Sequence, residues 1–98
     1  MWGTLNINGG TFLSENSPIL QCGLRSTTTI TGGELTSGST ISAIELAQGR
    51  KKFSMTGGTL KTYTAIAFII CHGDDKNVTL DKKKVNLIGQ NWTDISVQ

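Results

Sequence analysis

The chain has 98 residues, twelve of them glycine and one proline, and a formal net charge of +2. That length fits one domain with a modest core, and the charge is too small to draw in nucleic acid or another polyanion. The longest apolar run, Ala65 to Ile70, is far too short to cross a bilayer, so no membrane insertion is expected.

The opening segment, MWGTLNING, lacks both a basic stretch and an apolar stretch, so no secretory leader is expected. No segment runs at helical period, and glycine, serine and threonine punctuate the chain throughout, which predicts an all-β fold with many turns. Residues alternate faces along a strand, so Leu5 and Ile7 point one way and Asn6 and Asn8 the other. Gly9-Gly10 then permits a sharp bend, and a second short strand begins at Phe12. A third apolar segment, PIL, follows at 18–20.

The same text recurs. Gly32-Gly33 and Gly57-Gly58 repeat the corner at intervals of 23 and 25 residues. Ile30 and Met55 stand two residues before these pairs, as Ile7 does before the first; Leu35 and Leu60 stand two residues after, as Phe12 does. The third segments are ISAIEL at 41–46 and AIAFII at 65–70. A fourth unit places Leu80 before Lys82-Lys83, Val85 after, and NLI at 86–88. A period of this size marks stacked repeats. Two or three short strands per repeat predict a parallel β-helix of about four coils, at about 4.8 Å per coil. The coils span about 4–26, 27–51 and 52–75, with a capping coil and tail at 76–98. Two interior ladders are expected, Ile7–Ile30–Met55–Leu80 and Phe12–Leu35–Leu60–Val85. Arg25, Arg50 and Asp75 fall at the same 25-residue spacing, as do Lys51 and Lys76, and are read as solvated turn residues.

The lysines at 82–84 would blunt the open C-terminal edge. The tail QNWTDISVQ is expected to fold across that end, with Trp92 and Ile95 over the core; the first coil is left to Trp2, or to another domain or chain that continues the stack. AIAFII is apolar at every position. Alternation assigns Ile66, Phe68 and Ile70 to the interior and Ala65, Ala67 and Ile69 to the outside. An outward apolar strip with no helix to cover it leaves the C-terminal tail or another copy as its cover, and a subunit contact through Ala65, Ala67 and Ile69 is the favoured expectation.

The repeated I-x-G-G-T-F and M-T-G-G-T-L patterns resemble the coils of right-handed parallel β-helix proteins of the pectate-lyase-like class, above all phage tail spikes and fibres and bacterial surface adhesins. The resemblance covers roughly residues 4–88. It implies a non-catalytic structural or adhesion module on a virion or bacterial surface, assembled as a homotrimer with coils side by side and touching a cell-surface polysaccharide. The alternative it implies is a fragment of a polysaccharide lyase or hydrolase. Such an enzyme needs two carboxylates at a defined separation, and the seven acidic residues here are scattered, with one adjacent pair, Asp74-Asp75.

Few residues carry chemistry. Cys71-His72-Gly73-Asp74-Asp75 holds potential metal ligands, yet its composition reads as a turn, and no cofactor or metal is expected. Cys22 and Cys71 match no metal or redox motif and are read as free thiols. The outward pairs before each corner are Asn6/Asn8, Thr29/Thr31, Ser54/Thr56 and Thr79/Asp81. One Thr-x-Thr among four gives weak support for an ice-binding array. Tyr63 and Trp92 are the aromatic candidates for a sugar contact. Asn77-Val78-Thr79 and Asn91-Trp92-Thr93 match the N-glycosylation pattern, which matters only in a secretory eukaryotic host.

Overall fold

The computed structural model describes residues 3–23, 25–48, 51–62, 65–73, 76–89 and 93–98. Among them are ten strands and no helix: β1 (Thr4–Ser14), β2 (Leu20–Cys22), β3 (Ser26–Ser37), β4 (Ser42–Leu46), β5 (Lys51–Met55), β6 (Thr59–Thr62), β7 (Ala67–Cys71), β8 (Val78–Leu80), β9 (Asn86–Ile88) and β10 (Thr93–Val97). Every pairing is parallel. The chain is a parallel β-solenoid of about three turns, built as four stacked rungs with three faces.

The first face stacks the leading half of β1, that of β3, then β5 and β8; the second stacks their trailing halves, then β6 and β9. β2, β4, β7 and β10 stack in chain order as the third face. The glycine pairs bend β1 and β3 between the first two faces. At the corner Gly33 has φ +99° and Gly58 has φ +86°, a region costly for any residue with a Cβ.

Both expected ladders can be checked rung by rung. Ile7, Ile30, Met55 and Leu80 are consecutive Cα partners. Phe12, Leu35 and Leu60 are too, but the fourth member is Leu87 instead of Val85. The lysine corner explains the slip. The Asp81 carbonyl accepts from the backbone N–H of both Lys84 and Val85, at 3.0 and 2.9 Å, closing a wider turn than Gly-Gly makes. Register resumes where Asn86 N–H reaches the Gly58 carbonyl at 2.9 Å. NLI is therefore the second-face strand of the fourth rung. The tail does not lie across the open end: β10 pairs with β7 as the last rung of the third face, and Ile95 points inward over Ile69.

The third face adds two interior ladders, Leu20–Ile44–Ile69–Ile95 and Cys22–Leu46–Cys71–Val97. Their phase reverses the expectation for AIAFII. Ala67 and Ile69 are inward, with 1 % and 0 % of their surface exposed, and Ala65 is buried at 6 %. Ile66 is outside, 59 % exposed. The physical reason lies in β4. Glu45 must keep its carboxylate in water, and Glu45 is the direct partner of Ile70, so Ile70 and Phe68 share its outer side. Those two are nevertheless buried, at 2 % and 4 %, within the single chain. From Ala67 to Ile70 the apolar run is thus covered on both sides by its own polypeptide, and Ala65, Ala67 and Ile69 offer no surface to a partner. Trp2 and Trp92 lie outside the described residues.

Candidate functional site

Neither Cys22 nor Cys71 is in a disulfide, and both are buried and inward. With Leu46 between them in the ladder they sit two rungs apart, roughly 9.6 Å, too far to bridge. The Cys22 sulfur lies 3.3 Å from the Thr28 hydroxyl. Burial pushes the Cys22 thiol above its ordinary pKa, and the Thr28 contact offsets part of that rise. A reactive cysteine needs an exposed, electropositive setting, which this is not.

His72 comes directly after Cys71, the last residue of β7, and its ring faces the other way, outward, toward Glu45. Here the solenoid brings together residues far apart in sequence. Gln21, Glu45 and His72 sit on three successive rungs of the third face. Gln21 Nε2 donates to Glu45 Oε1 at 3.1 Å, and Glu45 Oε2 lies 3.2 Å from His72 Nε2. These three residues, with Ala47 and Gln48, line a shallow groove of ≈ 410 Å³. Sequence reading set His72 in a simple turn and did not couple it to Glu45. The signal was available, since Glu45 and Ile70 are 25 residues apart and His72 lies two positions further on.

The chemistry of this groove is limited. Its single carboxylate is held from both sides by Gln21 and His72. Among the described residues no group of three His, Cys, Asp or Glu side chains could hold a metal ion; Asp74 and Asp75 lie outside the described residues. The other described acids are dispersed. Asp81 Oδ1 accepts from the Lys83 backbone N–H at 3.1 Å, and Asp94 Oδ2 pairs with Lys82 Nζ at 2.9 Å.

The outer side of the first face is polar. Thr31 Oγ1 donates to Asn8 Oδ1 at 2.8 Å, tying outward residues of adjacent rungs together. Arg25, Lys52 and Asn77 border one shallow depression there, and Ser54, Lys76 and Thr79 border another. Lys51 departs from the expectation of a solvated turn. It is 6 % exposed, and its Nζ donates to the His72 carbonyl at 3.2 Å, joining the start of the first face to the end of the third. Arg50, Asp75 and the aromatic candidates Tyr63 and Trp92 lie outside the described residues.

The class this fold and surface define is a short parallel β-solenoid with a polar exterior and an apolar, laddered interior. No family model matches the chain, and no curated protein or solved structure is significantly similar to it.

Proposed function

We propose that the chain is a non-catalytic structural and adhesion module, a rigid segment of a phage tail or capsid appendage or of a bacterial surface adhesin, that associates with copies of itself and contacts a cell-surface glycan. The observation carrying this reading is the set of interior ladders running through successive rungs of all three faces. Such stacking makes a stiff segment in which every repeat is held by its neighbours. Outward polar groups support the same reading, because Gln21, Glu45 and His72 bind each other across rungs. Amides, a carboxylate and an imidazole suit hydrogen bonding to sugar hydroxyls, and the shallow groove on the third face is the candidate contact.

The test is incubation of the protein with capsular and lipopolysaccharide glycans, following binding and the release of new reducing or unsaturated ends in parallel. Binding without turnover, weakened by Glu45→Ala, is the expected result. Turnover that disappears when one carboxylate is replaced overturns the reading in favour of a carbohydrate-active enzyme.

A further inference from the structure

The two ends of the solenoid are built differently. The last rung carries three exposed lysines at its corner, Lys82 to Lys84, the kind of charge that discourages further strand pairing. The first rung has no such guard. Residues 3–14 contain no charged side chain. β1 pairs with β3 along one edge, and among the described residues nothing pairs with its other edge. An apolar cavity of ≈ 300 Å³ opens there among Leu5, Ile7, Phe12, Ile19, Leu20 and Leu35. Phe12 and Leu13 are 39 % and 67 % exposed.

The glycines add an independent observation. At the inner corners a Cβ would strike the preceding rung: on Gly32 it would lie 2.6 Å from the Asn8 carbonyl oxygen, and on Gly57, 2.2 Å from that of Thr31. Gly9 occupies the equivalent place in the first rung, where its Cβ would point out of the open end and meet nothing within 4 Å. Its φ lies outside the left-handed region. Nothing in the described chain requires glycine at position 9, whereas close approach of another backbone would.

We propose that the first rung, whose outer edge has no partner among the described residues, is a head-to-head dimer interface, occupied by the first rung of a second copy related by a two-fold axis through the Gly9–Gly10 corner. The register is self-complementary. Antiparallel pairing of β1 with the partner's β1, centred on this corner, sets Gly9 against the partner's Gly10, Ile7 against the partner's Phe12 and Leu5 against the partner's Ser14. Each inward position meets an inward position, because the bend shifts the inward set from odd residues before the corner to even residues after it. The same axis leaves the molecule through the opposite face, where β2 meets the partner's β2 with Leu20 over the partner's Leu20. The two apolar cavities then close against each other, and the exposed edges satisfy one another's backbone groups. Head-to-tail stacking would instead press the lysine corner onto a glycine corner that offers no acid to it. A two-fold contact is closed and stops at two copies.

This inference deepens the self-association in the proposed function and does not depend on its glycan contact, and the two fail separately, because one is read as oligomeric state and the other as glycan binding. Sedimentation velocity over a concentration series tests it first: a monomer–dimer equilibrium that ends at two copies is expected. Gly9→Ala should leave the melting temperature of the dilute monomer unchanged and weaken the dimer at least tenfold. Mixing Asn8→Cys with Thr11→Cys under mild oxidation should give a mixed disulfide dimer, since these positions face each other only in the head-to-head register, and the native cysteines are buried. A monomer up to hundreds of micromolar, growth beyond two copies, a Gly9→Ala dimer of unchanged affinity, or no mixed disulfide would each overturn the proposal.

Discussion

Gly57 sits so close under Thr31 that a Cβ on the glycine would lie 2.2 Å from the threonine carbonyl oxygen. The obstacle is backbone, held in register by the Ile30–Met55 pairing on one side and Leu35–Leu60 on the other, so it has nowhere to retreat. Gly57→Ala is expected to destabilise the fold by about 3 kcal/mol, the upper part of the overpacking range. Gly9→Ala, with nothing in its way, is expected within about 0.5 kcal/mol of wild type. Chemical denaturation of both variants checks the contrast. Equal losses at the two positions would mean that the corner needs glycine for its bend and not for rung-to-rung approach.

A second expectation concerns hydroxyls inside the solenoid. The hydroxyl oxygens of Ser26, Ser42 and Thr62 are buried without a hydrogen-bond partner among the described residues. Ser42 stacks on Ala67 in the next rung, so the alanine environment already exists at that level. Thr62→Val keeps the shape and removes a desolvated hydroxyl, and a stabilisation of about 1 kcal/mol is expected. Ser42→Ala should be neutral or stabilising by a similar amount. A loss of 1 kcal/mol or more in Thr62→Val would reveal that the hydroxyl has a partner after all. Ser37 is the control, because its Oγ donates to the Ser17 carbonyl at 2.8 Å, so Ser37→Ala should destabilise.

How much of this was legible in the sequence depended on whether a segment carried contrast. The first-face ladder was readable because each apolar residue is flanked by polar ones and followed two places later by a corner. The second-face ladder was readable to Leu60 and failed at Val85, because three lysines close a wider turn and fixed spacing no longer counts rungs. AIAFII had no contrast at all: period two cannot say which side is inward when both are apolar. The phase was recoverable only from the rung before, where Glu45 marks the water side and a 25-residue step carries that mark to Ile70. The groove of Gln21, Glu45 and His72 was hidden for another reason, since it exists only once three rungs are in register.

A third expectation follows from Cys22. Its folded-state pKa is raised by burial above the unfolded value, so the fold favours the neutral thiol. The stability tied to this group is fully present below the ordinary thiol pKa and is lost as pH climbs from there through the folded value. Unfolding free energy measured from pH 7 to 10 should fall more steeply in wild type than in Cys22→Ala. Thiol-labelling reagents at pH 8 should react with Cys22 and Cys71 only as fast as the protein opens. Immediate labelling of two thiols in the native protein would contradict their burial.

The final expectation sets Ile69 against Ile66. Ile69 is fully buried in the ladder between Ile44 and Ile95, whereas Ile66, three residues earlier, is 59 % exposed. Truncating a fully buried isoleucine loses both transfer energy and packing, and the rungs above and below limit how far the site can collapse. Ile69→Ala is therefore expected to cost about 3 kcal/mol, and Ile66→Ala within about 0.5 kcal/mol of zero, as for a surface change. Ala67→Glu should be more severe than either, because it places a charge against Ser42 and the core instead of on the surface. Denaturation midpoints and one-dimensional NMR dispersion of the three variants decide the matter. A well-folded Ala67→Glu with wild-type stability would restore the outward phase for Ala65, Ala67 and Ile69, and with it a side-by-side subunit contact through this strand.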